Sequence, residues 1–153
     1  MATKERSLYV GEFRHNLDSK NRLTIPSKWR FSGDEQEEVY LALPNPIGCI
    51  SLYPPKMVKK LEEKVEEVSL GNKKGQRALA RLFSKADYFG CDKHGRINLN
   101  EKLIAHAGLD KEAVLIGNFV TFNIWNTERY EEYLKSEDDT EDELTKILTE
   151  LGV

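Results

Sequence analysis

The chain has 153 residues and a formal net charge of -3, with 39% apolar and 32% charged residues. This length allows one domain or two small units that share a core, because a half-length unit alone would be only marginally stable. No run is long and apolar enough to span a membrane, and the N-terminal segment lacks the apolar core of a signal peptide. We therefore expect a cytoplasmic protein with no membrane partner.

The charge is distributed unevenly along the chain. Residues 128–153 contain three basic and ten acidic residues, and residues 1–127 contain 20 basic and 16 acidic residues. The body therefore carries +4 and the tail -7. A positive body suits a polyanionic partner, and the acidic tail could be a solvated helix, a clamp between subunits or a decoy for the basic surface.

The first elements in the chain are strands and one short helix. Residues 8–13 form a plausible strand, and Pro26 suits the first turn of a short helix that ends near Gly33. Apolar and polar residues then predict two strands, residues 39–43 and 49–53, joined by a turn rich in proline.

Two helices are predicted next. Apolar residues recur at helical spacing over residues 57–68, and a segment with two glycines, residues 71–75, breaks this helix. A second helix is predicted over residues 76–86, with apolar residues on one side and Arg77, Arg81 and Lys85 exposed on the other. The pair links the two halves of the chain.

The second half repeats the element order of the first. Asn100 can cap a helix over residues 101–107 that ends at Gly108. Residues 113–116 and 120–125 then match the last two strands of the first half.

The acidic tail is predicted to be helical. A helix begins at Thr127, and Thr140 with Glu143 forms a capping-box pattern before an apolar stripe. The stripe consists of Leu144, Ile147, Leu148 and Leu151. It could be buried against the body or against a neighbouring subunit.

One motif occurs twice. Residues 15–26, HNLDSKNRLTIP, return as residues 89–100, FGCDKHGRINLN, so an Asp-x-x-x-Arg element is repeated 74 residues later. Each copy is followed by a short strand and a helical segment, which indicates two copies of one structural unit. The predicted parts are a first unit at 8–54, linking helices at 55–85, a second unit at 86–127 and an acidic helical tail at 128–153.

The repeated motif predicts a braced loop with outward-facing donors. Asp18 and Asp92 are expected to accept hydrogen bonds from loop amides and to orient the arginine of the same motif. Arginine suits two-point bonding to a guanine edge and lysine suits phosphate, so such a loop can enter a major groove. The polar residues at the two tips are Lys20, Asn21, Arg22, Lys93, His94 and Arg96.

Catalytic and metal-binding motifs are absent. The chain has no Gly-x-Ser-x-Gly elbow, phosphate-binding glycine loop, dinucleotide fingerprint or His-Glu-x-x-His pair. Cys49 and Cys91 lie in apolar surroundings without Cys-x-x-Cys spacing, so we expect buried free thiols rather than a zinc site. An enzyme using Asp18 with His15 would lack a converging nucleophile. We predict no enzymatic activity, no cofactor, no metal and no small-molecule substrate.

Most aromatic residues are assigned to the core because they alternate within predicted strands. These residues are Tyr40, Phe119, Phe122 and Trp125. Trp29, between Lys28 and Arg30, is the one candidate for base stacking, but its large apolar surface favours packing.

Four stretches of the sequence resemble the MraZ family of bacterial transcriptional regulators, which contain two tandem AbrB-like swapped-hairpin units. These stretches are LDSKNRLTIPSKWR, CISLYP, CDKHGRINLNEKLIAHAGLDKEAVLIGN and FNIW. The resemblance implies an α+β fold in which the two units form a pseudo-two-fold small β-barrel with linking helices and a C-terminal helix. It further implies a nucleoid-associated, ring-shaped homo-oligomer that binds short direct repeats in double-stranded DNA. Those repeats lie upstream of the division and cell-wall gene cluster and often in the protein's own promoter.

The resemblance assigns DNA contact to the first loop and its neighbours, Arg14, Lys20, Asn21 and Arg22. Lys93 and Arg96 are expected either to form a second contact or to be structural, because the two copies need not face DNA alike. Asn21 stands where the family usually has glycine, and asparagine tolerates a positive φ. The alternative function is an AbrB-like interaction or assembly module without specific DNA binding, which a salt titration on DNA would distinguish.

Overall fold

The computed structural model describes residues 8–30, 39–135 and 141–152, and these form a mixed α+β fold. Within those ranges, the strands are β1 (Glu12–Asn16), β2 (Arg22–Thr24), β3 (Tyr40–Asn45), β4 (Cys49–Tyr53), β5 (Asp87–Phe89), β6 (Arg96–Asn98), β7 (Glu112–Gly117) and β8 (Phe122–Asn126). The α-helices are α1 (Pro55–Glu66), α2 (Lys73–Phe83), α3 (Glu101–Ala107), α4 (Thr127–Leu134) and α5 (Glu141–Leu151). No helix in the described ranges is both long enough and apolar enough to cross a membrane.

The strands form two antiparallel sheets. Six of them lie in the order β1-β7-β8-β4-β3-β5, and β2 pairs with β6 in a separate two-stranded ribbon. The first strand of each predicted unit joins the hairpin of the other unit, because β1 pairs with β7 and β5 pairs with β3. The two hairpins meet where β4 pairs with β8. The two predicted units are therefore interlocked rather than placed side by side.

The predicted closed β-barrel is not confirmed in the described residues. Strands β1 and β5 each have one strand neighbour and form the two edges of the large sheet. Strands β2 and β6 do not bridge these edges, because they pair with each other, with Leu23 opposite Ile97. The result is an open sheet covered by a short ribbon.

Apolar packing holds the ribbon against the large sheet. Leu23 and Ile97 of the ribbon are fully buried in one cluster with Ile50 and Ile124 of the sheet. Burying an aliphatic side chain of this size contributes about 1.5–3 kcal/mol. The alternating pattern of β2 and β6 therefore fixes which face of the ribbon points to the core and which remains available to solvent.

Trp29 is part of this core, as its size predicted. It is 1% exposed, and its ring centroid lies 4.8 Å from that of Phe122 and 5.1 Å from that of Phe13. Its carbonyl accepts a hydrogen bond of 2.8 Å from the Tyr40 hydroxyl. Base stacking by Trp29 is therefore excluded.

The core assignment of Phe119 is wrong. Its side chain is 57% exposed and its φ is +69°. Strand β8 begins at Phe122 rather than at residue 120, so Phe119 lies in the turn between β7 and β8. There it makes an isolated bridge to Tyr9.

Several predicted boundaries differ from the structure. Strand β1 begins at Glu12 rather than at residue 8, after Gly11 with a φ of +102°. The helix after Pro26 is a single 3-10 turn, Ser27–Trp29. Helix α2 begins inside the predicted break, because the Asn72 side chain caps it by accepting a hydrogen bond of 2.9 Å from the Gly75 amide.

The caps predicted for α3 are confirmed. The Asn100 side chain accepts a hydrogen bond of 2.8 Å from the Leu103 amide at the start of α3. The helix ends at Gly108, which adopts the left-handed conformation with a φ of +64°. The C-terminal helix is also present as α5, although Thr140 of the predicted capping box lies outside the described residues.

The apolar stripe of α5 is not buried against the body. Its least exposed member, Leu148, is 41% exposed, and the most exposed member, Leu151, is 69% exposed. The stripe is therefore available to a second molecule in this single-chain structure.

Candidate nucleic-acid interface

The first Asp-x-x-x-Arg loop is organised by the Asp18 carboxylate. Asp18 Oδ1 accepts hydrogen bonds of 2.9 Å from the backbone amides of Lys20 and Arg22. Asp18 Oδ2 accepts a bond of 2.7 Å from Arg22 Nε. One carboxylate thus closes the turn and fixes the direction of the arginine at the same time.

The second loop has the same arrangement around Asp92. Asp92 Oδ1 accepts bonds of 2.8 Å from the His94 amide and 3.0 Å from the Arg96 amide. Asp92 Oδ2 accepts a bond of 2.9 Å from Arg96 Nε. The repeat seen in the sequence is therefore also a repeat of hydrogen-bond geometry.

The loops are joined to each other by backbone hydrogen bonds. The Leu99 amide donates to the Asn21 carbonyl at 3.0 Å, and the Ile25 amide donates to the Gly95 carbonyl at 2.9 Å. Both acceptor residues have a positive φ, +63° at Asn21 and +78° at Gly95. The expected tolerance of Asn21 for this conformation is confirmed. Because these bonds flank the β2–β6 pair, both loops lie on one ribbon.

Arg22 and Arg96 differ in the number of guanidinium Nη atoms that remain available to bind a ligand. Each uses Nε to bind its own aspartate, but Arg96 Nη1 also lies 4.0 Å from Asp18 Oδ2. Neither Nη atom of Arg22 donates a hydrogen bond to any residue in the described part of the chain. Both arginines are partly exposed, with side-chain exposures of 30% for Arg22 and 27% for Arg96.

The other predicted contact residues lie at different depths. Lys20, Lys93 and His94 are exposed at the loop tips, and Asn21 is half-buried. No ion pair holds Lys20 or Lys93 to the described residues. These lysines can therefore approach an external anion without first breaking a salt bridge.

Arg14 lies away from the loop tips, in strand β1 among carboxylates. Its Nη2 is 3.4 Å from Glu12 Oε2 and 3.9 Å from Glu131 Oε2. Its Nη1 is 3.7 Å from Glu112 Oε1. These carboxylates compete with phosphate for the guanidinium, so DNA contact by Arg14 stays a prediction.

The hydrogen bonds lower the pKa of both motif aspartates. The bond from the Arg22 backbone amide is the main cause of the lowered pKa of Asp18. The corresponding bond from the Arg96 amide lowers the pKa of Asp92 from 3.8 to about 2. Both carboxylates are therefore ionised at neutral pH, which suits acceptors and not general acids.

Arg30 supports the second loop, a role that the sequence did not reveal. Its Nε donates a hydrogen bond of 2.7 Å to the Ile25 carbonyl, and its guanidinium covers Gly95 so closely that an added Cβ would overlap it. The equivalent position in the repeat, 74 residues later, is Ile104. The two copies differ at most aligned positions, so comparing the repeats would not have singled out Arg30.

The cysteines are free, as expected, although only Cys49 is fully buried and Cys91 is half-buried. Burial raises the pKa of Cys49 to about 12 and that of Cys91 to about 11. Both therefore remain protonated thiols at neutral pH. Within the described ranges, no three His, Cys, Asp or Glu residues are grouped so that they could hold a metal ion.

The fold and loops define a class of protein: a single chain with two tandem, interlocked units that present paired Asp-x-x-x-Arg loops on one ribbon. The chain belongs to the MraZ family. The family model for MraZ proteins, whose description also calls them antitoxin-like, matches residues 8–81 and again residues 82–150.

Curated relatives named transcriptional regulator MraZ align over almost the whole chain. The protein of Pediococcus pentosaceus is 38% identical over 95% of this chain and 100% of its own length. That of Lactobacillus delbrueckii subsp. bulgaricus is 39% identical over 94% of this chain and 99% of its own length. That of Clostridium tetani is 34% identical over 95% of this chain and 100% of its own length.

Replacing Gly95 with alanine should destabilise the second loop. Alanine at a φ of +78° is strained, and its Cβ would overlap the Arg30 side chain, so we expect a loss of more than about 1 kcal/mol in unfolding free energy. Urea denaturation measures this loss. Asn21→Gly is the control, because glycine adopts the same backbone conformation freely, and it should leave stability within about 0.5 kcal/mol of the parent. An unchanged Gly95→Ala protein would contradict the packing described.

The Asp92 carboxylate should titrate well below an ordinary aspartate. Its lowered pKa means that the loop bonds stabilise the folded state above pH 3.8 and are lost as the pH falls through about 2. Carbon-detected NMR of the side-chain carboxyl should therefore show a midpoint near pH 2. In Arg96→Ala, which removes the side-chain donor but keeps the backbone amides, the midpoint should move only part of the way towards 3.8. A parent midpoint near 4 would show that the amide bonds do not form.

Proposed function

We propose that this protein is a sequence-specific DNA-binding transcriptional regulator without enzymatic activity, acting in the cytoplasm and associated with the nucleoid. The main observation behind this proposal is the state of Arg22, whose Nε donates to Asp18 while neither Nη atom has an acceptor among the residues that the structure describes. Membership of a family whose curated relatives are named transcriptional regulators supports it.

The first loop would read DNA with Arg22 and bind the backbone with Lys20. The two Nη donors match the paired O6 and N7 acceptors of guanine in the major groove, and the exposed Lys20 ammonium suits a phosphate. Because Asp18 already holds the guanidinium, little side-chain freedom remains to be lost on binding. Asn21 would set the pose of the loop through its backbone conformation.

The second loop would lie at the same surface with a modified role. Lys93 is exposed and can bind phosphate, whereas Arg96 reaches towards Asp18 as well as Asp92. We infer that the two units are related by a pseudo-two-fold axis through the ribbon, where Leu23 faces Ile97. The loops would then approach DNA as a pair, with Arg22 the stronger base contact.

The targets that we propose are short direct repeats upstream of the division and cell-wall gene cluster, with the promoter of the protein's own gene among them. A ring-shaped homo-oligomer would place several first loops along successive repeats. Linking weak sites in this way raises affinity through effective concentration. The exposed apolar stripe of α5 supports assembly, because apolar residues at this spacing are normally covered.

Arg22→Ala should remove sequence preference without unfolding the protein. Losing a two-point contact to one base costs about 1–3 kcal/mol of discrimination, which is roughly 5- to 140-fold. Fluorescence anisotropy with a duplex from upstream of the protein's own gene, and with a scrambled duplex of equal length, measures this preference. Lys59→Ala, which removes one positive charge from exposed α1, is the control and should keep the preference.

Two results would count against this assignment. An Arg22→Ala protein that retains the parent's preference would exclude Arg22 as a base contact. A parent that binds both duplexes equally, at every salt concentration, would favour an interaction or assembly module instead.

Polar substitution of the α5 stripe should reduce the size of the assembly. Leu144→Ser with Leu148→Ser replaces two exposed leucines by hydroxyls, so contacts that bury them would weaken. Light scattering should report a smaller particle than for the parent. Glu150→Gln, an exposed change on the same helix outside the stripe, should keep the parent mass. A monomeric parent would contradict the ring, and an unchanged mass in the double variant would exclude α5 from the interface.

A further inference from the structure

Helix α2 and the turn after it carry a row of positive charges. Lys73, Arg77, Arg81 and Lys85 recur every four residues, and all four are exposed. Four residues advance an α-helix by about 6 Å and slightly more than one full turn, so these side chains follow one side of the helix. Residues 68–86 contain five basic residues and no acidic residue.

This row differs from the other charged surfaces of the chain. Among the described residues, none of its four cations takes part in an ion pair, whereas Arg14, Arg22 and Arg96 each do. The preceding helix, α1, alternates four lysines with three glutamates. A mixed helix surface is typical of a solvated face, but a row of one sign creates a positive field over its whole length.

The row ends beside the first loop. The Asn100 side chain donates a hydrogen bond of 3.5 Å to the Lys85 carbonyl. Leu99, its neighbour in the chain, donates its amide to the Asn21 carbonyl at 3.0 Å. Two consecutive residues therefore connect the C-terminal end of α2 to the tip that carries Arg22.

A further cation reinforces this junction. Lys102 in α3 places its Nζ 3.5 Å from the Ser84 carbonyl at the end of α2. Lys102 is exposed, as are Lys85 and Lys20. Exposed cations thus lie at the first loop, at the start of α3 and along α2, with the carboxylates of Glu101 and Asp87 between the loop and the row.

We propose that α2 is a second DNA-binding element, which holds the phosphate backbone of duplex DNA beside the bases read by the first loop. This inference rests on the proposed function and adds a sequence-independent contact to it. From Lys73 to Lys85 the row extends about 18 Å. Each DNA strand carries one phosphate per roughly 3.4 Å of helix axis, so the row spans about five phosphates. The row contains only lysine and arginine, which suits phosphates and not base stacking.

The test uses the full-length protein with the double substitution Arg77→Ala and Arg81→Ala. The double variant should bind the upstream duplex and the scrambled duplex more weakly by the same factor, because phosphate contacts carry no sequence information. Each lost contact should make the slope of log K against log salt shallower by about 0.9. For two contacts, raising the salt from 50 to 200 mM should cost the variant about tenfold less affinity than it costs the parent.

Two control variants test whether a change in the salt slope is caused by the loss of positive charge from α2. Lys59→Ala with Lys60→Ala removes the same charge from exposed positions of α1 and should leave the salt slope unchanged. Arg77→Lys with Arg81→Lys keeps the charge and should restore most of the slope. Circular dichroism and light scattering should give the parent's melting temperature and mass for every variant, since Arg77 and Arg81 have no described ion pair to lose.

The outcomes distinguish failure of this inference from failure of the proposed function. If the parent prefers the upstream duplex but the α2 alanine variant keeps its affinity and salt slope, the phosphate contact is overturned and the proposed function stands. If the parent binds without preference and the variant still loses slope, α2 is a DNA contact and the proposed specificity fails. A parent that binds neither duplex overturns both. An unchanged slope with an altered particle mass would assign the row to a contact between subunits, which also overturns the proposal.

Discussion

The structure depends on the exchange of backbone hydrogen bonds between the two loops. Asn21 and Gly95 adopt left-handed conformations, and this turns their carbonyls towards the amides of Leu99 and Ile25 in the other copy. Because β2 and β6 have only three residues each, these two flanking bonds add to a short strand pairing. The bonds tie the loop that carries Arg22 directly to the loop that carries Arg96.

Because side chains alternate along β2 and β6, the ribbon has one apolar face towards the core and one polar face towards the solvent. Leu23 and Ile97 point into the core, and the buried cluster beneath them anchors the ribbon to the six-stranded sheet. Both carboxylate oxygens of each motif aspartate accept hydrogen bonds, Oδ1 from two loop amides and Oδ2 from one arginine nitrogen. The hydrogen-bond donors on the exposed side of the ribbon are therefore held in fixed positions, as recognition of DNA bases requires. The α2 row would add affinity to this surface without adding information.

Much of this arrangement could be predicted from the sequence, because the repeated motif is visible without a structure. The paired motifs, the two-unit order and the caps of α3 at Asn100 and Gly108 follow from local chemistry that acts within a few residues. The exchange of β1 and β5 between hairpins was not predicted from the pattern, since strand alternation does not specify the partner strand. The open sheet differs from the closed barrel that the family resemblance implied, because β2 and β6 pair with each other and leave β1 and β5 as edges. Phe119 was wrongly assigned to the core because the position of its turn depends on tertiary packing. Arg30 was overlooked because its contact with Gly95 also arises only from tertiary packing.

The proposed function requires that the Asp-x-x-x-Arg loops of this protein read a specific duplex sequence. Hydroxyl-radical footprinting of the parent protein on DNA from upstream of its own gene tests this most directly. If the loops read the bases, the protein should protect short segments of equal sequence at a regular spacing, and this protection should persist when excess scrambled DNA is present. Uniform protection that competitor DNA removes, or no protection at all, would contradict it.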